Sequence, residues 1–173
     1  MTVRIAKQED FNVLDEALKE TAKRLKRKGS TQWAHILTNE EASTLKMRLS
    51  KGEVLIIEEG PYMVGMCYLY EEPNEWDYSL WQKETESGNY YLHKVVVRDL
   101  FVGKQYGQKI LKEVINWVKS HQGQRILLDC KADVAYLNEF YQKSGFKFVS
   151  SRYKGEFEEL FADFNLYEYL IHQ

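Results

Sequence analysis

The chain has 173 residues, 44% of them hydrophobic and 29% charged, with a formal net charge of −2 and a pI near 6.1. That length suits a single domain over residues 1–173 with one buried core. The near-neutral charge gives no electrostatic reason to expect nucleic acid or an anionic membrane as partner. No apolar run approaches the ~18 residues that span a bilayer. The N-terminus "MTVRIAKQEDF" lacks the apolar centre of a signal peptide, so a cytoplasmic location is expected.

Cys67 and Cys130, the two cysteines, each lie in an apolar run and read as buried reduced thiols. His35, His93, His121 and His172 are scattered, and no cysteine–histidine cluster has metal-ligand spacing, so no metal is expected. Aromatic residues reach 14%, which either thickens a core or lines a pocket.

In chain order, "TVRIA" alternates as a short strand. From Gln8 to about Lys26 the apolar Phe11, Leu14, Leu18, Ala22 and Leu25 recur every three or four residues, which predicts an amphipathic helix closed by Gly29. Thr38 or Asn39 is expected to cap a second helix reaching about Ser50. "EVLIIEE" (53–59) and "YMVGMCYLY" (62–70) read as a hairpin joined by Gly60-Pro61. Residues 71–89 show no period and read as a polar loop holding Trp76 and Trp81. "YYLHKVVV" (90–97) is strand-like, and "FVGKQYGQKIL" (101–111) opens a helix with Ile110, Leu111, Val114, Ile115 and Val118 on one face. "RILLDC" (125–130) is a strand, Asp133 is expected to cap a helix through Tyr141, and Gly145 ends it. Two closing strands, "FKFVSS" and "FNLYEYLI", surround an acidic, aromatic loop. The order is that of an α+β fold with a mixed sheet.

A strand, a glycine-containing loop and a helix start make an anion site, because free amides and the helix dipole favour negative charge there. Glycine at 103 and 107 lets a backbone approach a pyrophosphate closely. Taken alone, such a stretch is more commonly a glycine turn before a helix with no ligand.

Joined with "AYLNEFYQKSGFKFV" further on, "LHKVVVRDLFVGKQYGQKIL" resembles the GNAT superfamily of acyl-CoA-dependent N-acetyltransferases. Val97 ends the strand, Val102 to Gly107 fill the six-residue glycine motif without a gap, and Tyr141 stands four residues before Gly145-Phe146. The resemblance is specific over 90–148 and implies a GNAT-like fold, a mixed and mostly antiparallel sheet with helices on both faces. Val102 replaces the motif's arginine or glutamine, and Gln105 replaces its middle glycine. A glutamine fits there without strain if its φ is negative.

The resemblance further implies an acetyl-CoA-dependent transfer to a primary amine of a small molecule, by direct attack in a ternary complex. Val95, Val96 and Val97 would present backbone amides to the pantetheine arm and thioester carbonyl. Val102, Gly103, Lys104, Gln105, Tyr106, Gly107 and Gln108 would cradle the pyrophosphate. Near Val134 the family often places an asparagine against the cofactor, a role that Asn138 is expected to take. Tyr141 would protonate the departing thiolate, with a core aromatic as the alternative. A neutral amine is needed for attack, and His93 shares strand parity with Val95 and Val97, so it is the candidate base; an imidazole's ordinary pKa near 6.5 suits that task. Glu58, Glu71 and Glu72 are rivals. Trp33, Trp76 and Trp81, with Gln32 and Tyr78 nearby, either line the acceptor pocket or pack the core. A non-catalytic acyl-CoA-binding sensor and a protein N-acetyltransferase are the alternatives. A homodimer through the aromatic C-terminal strands is an expectation by analogy.

Overall fold

The apolar stripe that begins at Phe11 winds into helix α1 (Phe11–Arg27), which buries Leu14, Ala17, Leu18 and Ala22. The computed structural model describes residues 1–81, 87–153 and 163–171. Its elements are β1 (Thr2–Ile5), a 3-10 turn (Gln8–Asp10), α1, α2 (Ala34–Leu37), α3 (Glu41–Ser50), β2 (Val54–Glu59), β3 (Tyr62–Tyr70) and α4 (Glu75–Trp81). They continue with β4 (Asn89–Val97), a 3-10 turn (Asp99–Phe101), α5 (Tyr106–Ser120), β5 (Arg125–Lys131), α6 (Ala135–Lys143), β6 (Lys147–Tyr153) and β7 (Asp163–Leu170). The strand order is β1-β2-β3-β4-β5-β7-β6. The pairs β1–β2, β2–β3, β5–β7 and β6–β7 are antiparallel, while β4 and β5 are parallel, so the sheet is mixed.

The chain forms two compact units, one of residues Met1–Leu69 with His93–Glu113 and one of Tyr70–Leu92 with Val114–Gln173. In the first, a Cβ placed on Gly65 would stand 2.5 Å from Ile110 of α5 and 2.3 Å from the Val96 carbonyl. Glycine is required there for close packing of helix and strand. Tyr68, three residues along β3, instead reaches Glu41 of α3. Successive strand side chains alternate faces, so α5 and α3 lie on opposite faces of this part of the sheet. In the second unit Ile126, Leu127, Leu128, Leu166 and Tyr167 are buried along β5 and β7.

Three local expectations change. The second helix does not start from a Thr38 or Asn39 cap: α2 forms first, Asn39 turns at φ +65°, and α3 begins at Glu41 behind Glu40. Thr38 Oγ1 donates to Glu40 rather than accepting from an amide of the helix start. Residues 71–89 are not wholly loop, because α4 carries both Trp76 and Trp81. Its start is a reciprocal cap, in which Asp77 N donates to Asn74 Oδ1 at 2.8 Å and Asn74 N donates to Asp77 Oδ2 at 3.1 Å. Asp133 makes no side-chain cap for α6, whose N-cap residue is Val134. The turn is held from inside the helix, where Asn138 Nδ2 donates to the carbonyls of Lys131, Ala132 and Val134. The acidic, aromatic loop expected between the last two strands falls mostly on 154–162, outside the described residues.

Candidate active site

The end of β4 is fixed before the glycine loop begins. Arg98 N donates to Val64 O at 3.0 Å, and its guanidinium grips Glu20 of α1 through Nε at 2.9 Å and Nη2 at 2.8 Å. Glu20 also accepts from the Asp99 amide at 3.3 Å. Arg24, one turn on, pairs with Asp99 and donates to Val97 O at 3.2 Å. Two-pronged, charge-assisted contacts of this kind fix direction as well as distance. The loop therefore starts from a frame clamped to α1.

From that frame Val102 is extended at φ −62° and ψ 143°. Gly103 turns at φ +78° with no atom within 4 Å of a would-be Cβ. Gln105 does not have the negative φ expected of it; it takes the left-handed conformation at φ +61°. The backbone turns through positive φ at 103 and again at 105, a kind of loop from which anion-binding concavities are built. The i to i−4 bond from Lys109 N to Gln105 O opens the helical ladder, so the amides ahead of Lys109 belong to the helix start, where such donors lack intrahelical partners. A fifteen-residue helix then adds its dipole.

Side chains bring little charge to the mouth of this loop. Lys104 Nζ donates back to Leu100 O at 3.1 Å, and Lys109 Nζ sits 4.5 Å from the centre of the Tyr106 ring. Tyr106 packs 4.9 Å from Phe101 and donates its hydroxyl to Glu59, a bond that holds the phenol above its ordinary pKa. Val102 is exposed and supplies no charge. What this loop can offer an anion is its backbone amides.

Upstream on β4, Val95 and Val97 are half-buried and Val96 is buried. Lys94 interrupts the strand with φ +51°. Its Nζ lies 5.0 Å above the Trp33 ring, 3.4 Å from His35 Nε2 and 3.7 Å from Glu41 Oε2. Glu41 is 6% exposed and also receives the Tyr68 hydroxyl at 3.0 Å and faces His35 Nε2 at 3.1 Å. Burial, then Glu41, pushes the Tyr68 phenol well above its ordinary value, so it stays a donor. Of this cluster the sequence pointed only to Trp33. The αL residues and the buried acid are tertiary features with no local signature. His93 stands half-buried on the same strand.

In the second unit, Tyr141 is 9% exposed on α6, with its ring centre 5.9 Å from Phe146 and 6.2 Å from Tyr167. Asn138 Oδ1 accepts from Tyr167 Oη at 2.7 Å and Asn165 Nδ2 at 2.8 Å, while Nδ2 serves the three carbonyls of the turn. That amide is committed to holding β5, α6 and β7 together. Trp76 donates Nε1 to Asp129 at 3.2 Å and meets Phe164 edge-on at 5.0 Å. Trp81 is 5% exposed, a core position rather than the wall of an open pocket. Both cysteines are buried, and burial pushes each thiol up to about 12. Neither is poised as a thiolate nucleophile.

The sequence model of the Acetyltransferase (GNAT) family matches residues 14–146. The chain belongs to this family. It is 29% identical over 147 residues to the uncharacterized N-acetyltransferase YesJ of Bacillus subtilis (strain 168), covering 85% of this chain and 82% of the relative. It superposes with a TM-score of 0.80 and 28% identity on a GNAT-family acetyltransferase from Listeria monocytogenes 4b F2365, covering 98% of this chain and 94% of that one. The structure of yncA, a putative acetyltransferase of Salmonella typhimurium with its cofactor acetyl-CoA, shares the fold at TM-score 0.67 and 15% identity, covering 100% and 95% of the two chains. Membership makes the protein an acetyl-CoA-dependent N-acetyltransferase. Among the described residues no helix is long and apolar enough to cross a membrane.

Proposed function

We propose that the protein acetylates a primary amine of a small molecule by direct attack on acetyl-CoA, without an acyl-enzyme. The observation that carries this reading is the cluster of Trp33, Glu41 and Lys94 beside the transfer strand. There a carboxylate and an aromatic face already hold one ammonium group, that of Lys94. Faces of this kind attract cationic groups, so the same pair suits an acceptor ammonium that takes the place of Lys94. Direct attack is supported by the two thiols, both buried and pushed up to about 12, since a cysteine nucleophile requires the thiolate.

Acetyl-CoA supplies the activated acyl group, and the chain supplies binding and proton management. Amides of Gly103 to Gln108 hold the pyrophosphate, and the backbone of Val95 to Val97 holds the arm and polarises the carbonyl to be attacked. Tyr141 carries the acid role that the family pattern assigns to its position before Gly145-Phe146. A phenol of ordinary pKa near 10 donates to a thiolate of ordinary pKa near 8.5 only from a positioned hydrogen bond, so the effect is one of geometry.

The test is a CoA-release assay over a panel of small primary amines, amino acids and peptides with free N-termini, run beside Tyr141→Phe. We expect at least one small amine to turn over, with kcat in Tyr141→Phe lowered about 10²-fold and acetyl-CoA binding retained. Turnover confined to peptides overturns the small-molecule reading. Unchanged kcat in Tyr141→Phe removes the acid assignment.

A further inference from the structure

His35 was not marked by any sequence pattern, yet it sits among contacts to Glu41 and Lys94 in the first unit. Trp33 at φ +64° and Asn39 at φ +65° bracket the short α2 that carries it, so the segment adopts two left-handed turns to place one ring. Left-handed non-glycine residues are strained and persist where the surroundings demand them. Lys94 on β4 makes a third such residue, and its side chain ends in the same cluster.

The contacts select a tautomer. Glu41 Oε1 is taken by the Tyr68 hydroxyl at 3.0 Å, and the phenol stays protonated. Glu41 Oε2 faces His35 Nε2 at 3.1 Å. Lys94 Nζ lies 3.4 Å from the same Nε2 and 3.7 Å from Glu41 Oε2. We assign the ring hydrogen to Nε2, because the carboxylate is its nearer neighbour, and the lysine ammonium to Glu41, which leaves the lone pair on Nδ1. The His35 side chain is 41% exposed while that of Glu41 is 8% exposed, so the carboxylate is the inner partner and the ring faces outward. This is the carboxylate–imidazole pairing by which a neutral histidine is held ready to take a proton. The groups around it are Glu41 from α3, Lys94 from β4 and Tyr68 from β3 behind Glu41. On its own side, Glu40 is turned to Thr38, and Arg48 and Asp15 act on Tyr68 further back.

We propose that His35 is the proton acceptor for the attacking amine, with Glu41 as its positioning residue. The proposal rests on the reading of the acceptor as an amine, and it holds for a small molecule or a peptide N-terminus. In the step, an N–H bond of the acceptor ammonium breaks and the proton goes to His35 Nδ1, leaving the nitrogen lone pair. That pair forms the C–N bond at the acyl carbon. The C–S bond breaks with its electrons on sulfur, which takes the Tyr141 hydroxyl proton; the second nitrogen proton restores the phenol, and His35 returns the first to water. The sum is ammonium plus thioester giving amide, thiol and one proton. Lys94 immediately precedes Val95 and touches His35, so the ring is one side chain away from the transfer strand.

The test is the pH profile of kcat/KM for the amine in wild type, His35→Gln, Glu41→Gln and His93→Gln, with acetyl-CoA affinity measured by calorimetry on each. We expect His35→Gln to lower kcat/KM about 10²-fold near neutral pH, to leave acetyl-CoA affinity within two-fold, and to recover rate above pH ~9, where free amine abounds. Added imidazole should restore activity to His35→Gly. Glu41→Gln should displace the acid limb of the profile, which a purely structural loss would not do. An unchanged limb and rate in His35→Gln overturns the proposal, and loss of the limb only in His93→Gln transfers the role to that residue. A wild-type enzyme that turns over no amine of any kind instead overturns the amine reading itself.

Discussion

Gln105 holds φ +61° at the mouth of α5, a conformation that costs an L-residue roughly 1–2 kcal/mol and glycine almost nothing. In the proposed anion cradle the Gln105 amide is used and its side chain is not, so the strain is the consequence of keeping the loop's shape without the usual glycine. Gln105→Gly should therefore raise stability by about 0.5 kcal/mol after the larger backbone entropy of the unfolded glycine is subtracted. For a chain of this length that is a rise of roughly 1–2 °C in Tm, read by calorimetry. The KM for acetyl-CoA should stay level or fall. A KM raised ten-fold would show instead that the Gln105 side chain itself touches the donor. At Gly103, where the space is open, alanine would meet conformational strain and no clash.

At the scale of elements, the loop inherits its position from α1 more than from the strand that leads into it. Glu20 receives two nitrogens of Arg98 in partly buried surroundings and the amide of Asp99 at the surface. Replacing it with alanine removes three charge-assisted bonds and leaves Arg98 with Glu16 alone of its two carboxylate partners on α1. The expected loss is about 2 kcal/mol of stability, since hydrogen bonds to charged groups contribute roughly 1.5–3 kcal/mol. Acetyl-CoA affinity should fall several-fold while the KM for the amine holds. An unchanged affinity in Glu20→Ala would mean that the strand end fixes the loop without α1. Nothing in the sequence marked this clamp, because it joins residues 78 apart. What could be read there was local or repeated: the stripe of α1, the hairpin of β2 and β3, the apolar run of β5, and the paired motifs around Gly103 and Tyr141. The helix α4 was missed although "NEWD" holds a reciprocal cap, because a seven-residue helix is too short to show its period. Trp81 could not be sorted into pocket or core by type, and only burial decides it. The conformation of Gln105 was hidden for a related reason, since the motif fixes a backbone shape and a glutamine there says nothing about whether the shape is kept.

Over the whole molecule, groups kept neutral by burial are spread through both units. Cys67 and Tyr68 belong to the first unit, and Tyr90, Cys130 and Tyr167 to the second, and burial is the leading cause that raises each of them. The two thiols and the Tyr90 phenol are pushed up to about 12. Each of these acids ionises earlier in the unfolded chain, near the ordinary 8.5 of a thiol or 10 of a phenol. Between those values and about 12 the unfolded state binds fewer protons than the folded one, so stability must fall as pH rises. Their contribution is complete below about pH 8 and is lost on the alkaline side, at a slope of about 1.4 kcal/mol per pH unit for each group in its window. Denaturant unfolding under reducing conditions should accordingly show a plateau through neutral pH and a steep decline from about pH 9. Cys67→Ala should be less stable at pH 7, by a cavity cost of about 1 kcal/mol. Its alkaline decline should also be shallower by about one proton's slope. A Cys67→Ala protein whose curve runs parallel to wild type from pH 9 to 11 would mean that this thiol ionises alike in both states, and that the interior of the first unit is open to water.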